Sequence, residues 1–368
     1  MGKKTVCLWL ALLLLSITAV AGHAFGSHFL GDVGKPADYD LTIKEFRHVI
    51  KEFDAYVNQL PSAYDWRDLN KVTPAKDQGN CGSCWAFASV GSFESKLLIN
   101  RDLLSDLSEQ QQVSCNTAMA GCNGGSMDAL KFWQNVGPME ESCTGYPSNN
   151  GSKPACSDFS DCNTLDWRST GYYTVNTASA SEIKTSLYND GPTYFRYDVY
   201  SDFNDFWNNA GPGAVYTYQS GTYRGGHAVL IIGWDDAKAA WLCKNSWGEE
   251  TGPNEDGTFW IAYSGHAKSL RFGMANMDIK PVEATYSISG TIENAYGIPI
   301  KKVKVKVTGP IKKVVKTAPD GTYTVGGLGN GDYTIKPKKG RYTFTPSERT
   351  VTINGADLEN QDFTGTKP

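Results

Sequence analysis

The last 83 residues lack what the first 285 use freely: all nine cysteines and all ten tryptophans precede Tyr286, the last being Cys243 and Trp260. Histidine is scarce, with five in the chain, and Cys81–Cys84 is the one C-x-x-C spacing. A zinc site made from two closely spaced pairs is therefore excluded. Beyond the first 20 residues no apolar run approaches the roughly 20 residues of a membrane helix, which excludes a multi-span membrane protein. A net charge of −4 and a pI near 5.8 supply no general attraction to nucleic acid. With 40% hydrophobic and 20% charged residues, the chain is neither wholly disordered nor collagenous.

What is present divides in two. From Tyr286 onward there are 13 Lys+Arg against 7 Asp+Glu, while the preceding residues carry 22 against 32. A length of 368 residues favours two folded units. Lys3 and Lys4 precede an apolar run from Val6 to Val20 that ends in small residues, the pattern of a cleaved signal peptide over 1–24. Cys7 leaves with it, and export makes the other cysteines disulfide candidates. The mature chain is expected to be secreted or extracytoplasmic, with no transmembrane anchor. Over 25–59, Ile43, Phe46, Ile50, Phe53 and Val57 form one helical stripe, capped by Thr42 with Glu45. This helix is expected either to pack permanently on the main domain or to be a removable pro-segment.

The most informative stretch is Gln78-Gly-Asn-Cys81-Gly82-Ser-Cys84-Trp85. Alone, Cys81-x-x-Cys84 fits half a metal site or a dithiol redox pair. The run also matches the local signature of papain-type nucleophiles, which pair with a distant His and Asn. His227 lies in Gly-Gly-His-Ala-Val, 143 residues after Cys84, and Asn245 in Lys-Asn-Ser-Trp-Gly, 161 after it. With Leu60-Pro-Ser-Ala-Tyr-Asp-Trp-Arg67, Val72-Thr-Pro74, Leu107-Ser-Glu-Gln110 and Gly121-Cys-Asn-Gly-Gly125, the chain from 60 to 281 resembles the papain family of cysteine peptidases.

The resemblance implies an α+β fold of two lobes, a helical one with Cys84 and a β-rich one with His227 and Asn245. It implies hydrolysis of peptide or protein substrates through a thioester, without metal or other cofactor. Cys84 is the nucleophile, at a helix N-terminus that lowers its pKa. His227 transfers the proton, Asn245 orients the imidazole, Gln78 serves the oxyanion hole, and Trp247 shields the His227–Asn245 bond. Gly82, Gly124 and Gly125 are expected along the substrate, with Ser126, Met127, Ala228 and Met277 lining the P2 pocket. Arg196 comes to the edge of that pocket, unless it turns away or pairs with Asp198.

Two other readings use the same residues: an inactive binding module on this scaffold, and a disulfide oxidoreductase using Cys81 and Cys84. Cys243, in an apolar run, reads as a buried thiol. The remaining six cysteines pair in 15 ways by arithmetic. The family pattern implies Cys81–Cys122 and Cys115–Cys156, leaving Cys143–Cys162 without that support.

The sequence departs from the family pattern in places. The segment over 25–59 is short and lacks the E-R-F-N-I-N pattern of inhibitory pro-regions, so only weak anchoring is expected, with release at mildly acidic pH. The second Trp after Asn-Ser-Trp-Gly is missing, and Phe203 to Gly221 reads as a lengthened loop. No His-His loop of the carboxydipeptidase kind is visible, which favours endopeptidase action.

From 282 to 368, period-2 alternation gives seven or eight short strands and a small all-β sandwich. The inward positions include Ile288/Ile292, Val303/Val305/Val307, Tyr323/Val325 and Tyr333/Ile335. Asp320-Gly321, Gly326-Gly327, Gly329-Asn-Gly331 and Asn354-Gly355 are turn signals. This region resembles carboxypeptidase-regulatory-like, prealbumin-type domains, which are binding or spacer modules. Lys301, Lys302, Lys304 and Lys306 read as a solvated face guarding a strand edge, or as a contact for an acidic envelope or matrix polymer.

Overall fold

The stretch after Cys84 has one glycine and no proline, and it forms helix α1 (Cys84–Arg101). The computed structural model describes residues 29–36, 39, 60–150 and 154–368; the signal peptide and the helix expected around 43–57 lie outside them. Every residue of α1 from Cys84 to Leu98 is buried, so it is a central helix rather than a surface one. Several of its buried polar groups are matched, though the Ser95 hydroxyl has no partner among the described residues. The Ser89 hydroxyl accepts from Trp133 Nε1 at 2.9 Å, and Glu94 accepts from Leu107 N at 2.9 Å. The helix stops at Asp102, φ 51°, whose N–H reaches the Leu97 and Leu98 carbonyls. Four further α-helices follow: α2 (Glu109–Cys115), α3 (Glu141–Thr144), α4 (Ala180–Asp190) and α5 (Ser201–Asn209).

Eight strands form the first sheet: β1 (Ala63–Asp65), β2 (Trp167–Val175), β3 (Thr193–Tyr200), β4 (Val215–Tyr216), β5 (Tyr223–Asp235), β6 (Ala240–Lys244), β7 (Thr258–Ala262) and β8 (Gly273–Pro281). Their order is β2-β8-β3-β5-β6-β7-β4, with β1 also on β5. β5 is buried from Gly226 to Trp234 because both of its faces are covered. Tyr194 and Ala228 join the core cluster containing α1. Phe195, Tyr197, Val229 and Ile231 point to a second cluster with Phe203, Trp207 and Trp247. The stretch from Phe203 is thus no simple loop: its first part is α5, whose Phe203 and Trp207 are buried on that cluster. Among the described residues no helix is long and apolar enough to cross a membrane.

The C-terminal region has β9 (Tyr286–Glu293), β10 (Lys304–Thr308), β11 (Lys313–Lys316), β12 (Thr322–Leu328), β13 (Gly331–Lys338), β14 (Thr343–Thr345), β15 (Arg349–Ile353) and β16 (Phe363–Thr366). They make two four-stranded sheets, β11-β10-β13-β15 and β12-β9-β16-β14. The alternating residues Ile288, Ile292, Val303, Val305, Val307, Tyr323, Val325, Tyr333 and Ile335 fill the core between them. Two expectations are corrected. Gly326-Gly327 lies within β12, at a register shift between Val325 and Leu328, so it is a bulge rather than a turn. Lys304 and Lys306 sit on β10, an interior strand already paired on both sides, so they guard no edge.

Candidate active site

Cys84 is the first residue of α1 and is fully buried. The turn before it is fixed by a disulfide from Cys81 to Cys122, with Cα atoms 4.6 Å apart. That bond removes the dithiol on which the oxidoreductase reading depends. Cys115–Cys156 and Cys143–Cys162 are also bonded, and Cys84 and Cys243 are free, buried thiols. Gly82 is tight here: a Cβ would lie 2.5 Å from the Cys122 carbonyl oxygen.

β5 and the end of β6 bring the other parts to this sulfur. Ala228 N, the residue after His227, is 3.5 Å from Cys84 Sγ. Asn245 follows β6, and its Oδ1 accepts from His227 Nε2 at 2.7 Å and from Ser246 N at 2.9 Å. An amide oxygen only accepts, so Nε2 carries its hydrogen toward Asn245. The Ser246 hydroxyl donates to Gln78 Oε1 at 2.6 Å, which turns Gln78 Nε2 the other way, into the cleft. Trp247 lies over the imidazole at 5.0 Å between centroids, itself packed by Phe203 at 5.6 Å and Trp207 at 5.2 Å. The Trp207 ring also fills the space at Gly252, where a Cβ would meet its Cη2 at 2.5 Å. α5 thereby supplies an aromatic beside the loop that lacks its second Trp.

Residues 29–33 occupy the cleft. Gln78 Nε2 donates to the Phe29 carbonyl at 2.5 Å, and Gly31 N lies 3.3 Å from Cys84 Sγ. Gly125 N donates to Gly31 O at 2.6 Å and Val33 N to Gly125 O at 2.8 Å, while Asp32 N reaches Gly226 O at 3.3 Å. Asp32 is thus parallel to Gly125 and antiparallel to Gly226. Burial and the nearby Asp32 carboxylate push the Cys84 thiol up to about 12, against backbone N–H groups of Ala228, Gly31 and Trp85.

The expected pocket residues fall into groups. Gly82, Gly124 and Gly125 face the segment: a Cβ on Gly124 would be 2.8 Å from Gly31 O, and one on Gly82 3.3 Å from Leu30 O. Met127, Ala228 and Met277 share a buried cluster with Cys84 and Tyr194. Ser126 caps the short helix after it, accepting from Asp128 N. Arg196 is 2% exposed and does not turn away. It donates from Nε to Asp32 Oδ1 at 2.8 Å and from Nη2 to Asp198 Oδ1 at 3.0 Å. Asp32 Oδ2 also accepts from the Tyr194 hydroxyl at 2.7 Å. Sequence reasoning overlooked Asp32, Tyr194 and Gly273. The last stands opposite Arg196 on β8, where a Cβ would meet Arg196 Cγ and Met127 Cε at 3.0 Å.

A model of the papain family of cysteine proteases matches residues 60–281, well over half of the chain. The chain belongs to the papain family. A carboxypeptidase regulatory-like domain matches residues 287–366. This papain-family chain is 37% identical over 204 residues to a viral cathepsin of Heliothis zea nuclear polyhedrosis virus, covering 53% of the chain and 51% of the relative. It is 35% identical over 204 residues to a cathepsin L-like proteinase of Fasciola hepatica, covering 53% and 59%. It therefore spans about half the length of these curated relatives. Among solved structures, the Carica candamarcensis cysteine protease CMS1MS2 aligns with a TM-score of 0.50 at 26% identity, over 60% of this chain and 99% of that one.

Proposed function

We propose that this papain-family chain is an exported cysteine endopeptidase working through Cys84, His227 and Asn245. The observation that carries the reading is the 2.7 Å His227–Asn245 bond on a strand whose next N–H meets the Cys84 sulfur. Nε2 is committed to Asn245, so Nδ1 exchanges the proton with sulfur. The thiolate attacks the peptide carbonyl carbon, and the oxyanion is held by Gln78 Nε2 and the backbone at Cys84. The C–N bond then breaks as the imidazolium protonates the amine, leaving a thioester. Water, deprotonated by His227, releases the acid and restores the thiol. Fluorogenic peptide hydrolysis together with mass-detected labelling of Cys84 tests this. Labelling without hydrolysis of any peptide would leave the binding-module reading in its place.

The segment at 29–33 acts as a latency element in this proposal. It presents an amide N–H to the sulfur, and the carbonyl at Gln78 is that of Phe29, two residues back. Among the described residues its anchors include the Asp32 ion pair and backbone bonds; the helix on which weak anchoring was expected lies outside them.

The pH sense is also opposite to acid release. Burial raises the Asp32 carboxyl despite Arg196, and the covered Cys84 thiol is raised too. Relative to an open state, the seated state therefore binds protons more tightly at both groups. Its stability is fully present below the ordinary carboxylate range and is lost as pH rises through the raised values. The hydrogen-exchange protection factor of the Gly125 amide, which bonds Gly31, should fall as pH rises above the ordinary carboxylate range. A factor that falls on acidification, with the fold intact, would reverse this assignment.

For the C-terminal module the proposal is binding to an acidic polymer. Lys304 stands directly opposite Lys338 and Lys316, and Lys306 opposite Lys336, on one exposed face. Like charges so placed repel, and a polyanion relieves them. The chain should be retained on immobilised heparin, eluting earlier with rising salt and with Lys304→Glu plus Lys338→Glu. Identical elution of variant and parent would sink the idea.

A further inference from the structure

The Asp32 side chain enters the cleft one residue beyond the atom over Cys84 and ends on Arg196 and Tyr194. Arg196 is prearranged for a carboxylate. Its Nη2 is tied to Asp198, and its Nη1 donates to the Arg271 carbonyl at 2.8 Å. These bonds leave Nε for the occupant. Two glycines clear the space: a Cβ on Gly226 would lie 2.5 Å from Arg196 Nη2, and one on Gly273 3.0 Å from its Cγ.

The charge count points the same way. Asp198 is shared between Arg196 and the exposed Arg271, whose Nε lies 2.5 Å from it. With Asp32 withdrawn, two guanidiniums face one carboxylate, and the buried one loses an acceptor. An apolar side chain entering there would leave both Arg196 Nε and the Tyr194 hydroxyl unanswered, which disfavours it. An aspartate or glutamate restores both bonds. A purely structural arginine would be satisfied by Asp198 and would need neither the opening at Gly226 nor the Tyr194 hydroxyl.

We infer that Arg196, with Tyr194, makes this site select peptides carrying an acidic side chain at P2, and that Asp32 is the built-in occupant of that pocket. The inference rests on the peptidase reading for its use in catalysis, although recognition can be measured without turnover. The test uses the full chain carrying Gly31→Val, which unseats the segment, and thiol-directed peptidyl vinyl sulfones differing only at P2. Asp and Glu reagents should label Cys84 at least about tenfold faster than Leu and Phe reagents. Arg196→Met should abolish that lead, slowing the Asp and Glu reagents and speeding the Leu reagent. Arg196→Lys, which keeps the charge but not the fork, should retain part of it.

Leu labelling as fast as Asp in the chain with Arg196 intact overturns the inference. So does a ranking that survives Arg196→Met, or failure of every acidic reagent on a Cys84 that still takes iodoacetamide. If the reagents discriminate but no matched peptide is hydrolysed, the peptidase reading fails and the pocket assignment stands.

Discussion

Cys84→Ala is expected to reduce kcat/KM for peptide hydrolysis by at least about 10⁴-fold, because the other free thiol among the described residues, Cys243, is buried in the second core cluster. The fold should survive, since only one thiol group is removed and the Cys81–Cys122 bridge holds the turn. His227→Ala should cost nearly as much, as proton transfer has no substitute. Asn245→Ala should cost less, about 10²-fold, because Trp247 still covers the ring at 5.0 Å and restricts its tilt. Hydrolysis by Cys84→Ala at the parent rate would end the peptidase proposal. Equal losses for Asn245→Ala and His227→Ala would remove only the orienting role.

The second large effect concerns Gly31. A Cβ there would lie 1.7 Å from the Gly82 carbonyl oxygen, a distance no small shift relieves. Gly31→Val must therefore lift the segment from the cleft. A cost of about 3 kcal/mol in seating corresponds to about a hundredfold rise in open population. Labelling of Cys84 by iodoacetamide in the full chain should rise to match, and peptide hydrolysis with it. Val33→Ser, at an exposed position, should change neither. If Gly31→Val instead lowers Tm with no gain in labelling, residues 29–33 are a fixed part of the fold and the latency proposal falls.

Gln78, Cys84, His227 and Asn245 were legible because each sits in a short run whose neighbours are themselves constrained. Glycines flank Cys84 and His227 where backbones approach closely, and Ser246 ties Asn245 to Gln78. The three bridges were legible only in part, since arithmetic allows many pairings and the family pattern spoke to two. Asp32 was invisible for a different reason. It is one acidic residue in a short stretch without a motif, and its role exists only when a distant strand delivers Arg196 and Tyr194 to it.

The errors elsewhere share that origin. Phe203, Phe206 and Trp207 do have helical spacing, but the Asn and Gly around them read as loop. What makes α5 is the apolar surface of Trp247 and Phe259 beneath it. Likewise a lysine-rich strand looks like an edge until pairing shows it to be interior.

The covered sulfur has a consequence for how such a chain matures. Three bridges must form by oxidation while one thiol, three residues from Cys81, must stay reduced. Thiol–disulfide exchange requires an accessible thiolate. Under residues 29–33 the Cys84 sulfur is wholly shut off from solvent and its proton is held tightly. In that state it can neither scramble the bridges nor be spent on a passing oxidant. On the latency proposal the segment guards oxidation state as well as blocking the cleft, and its departure would mark the point at which the nucleophile first becomes vulnerable.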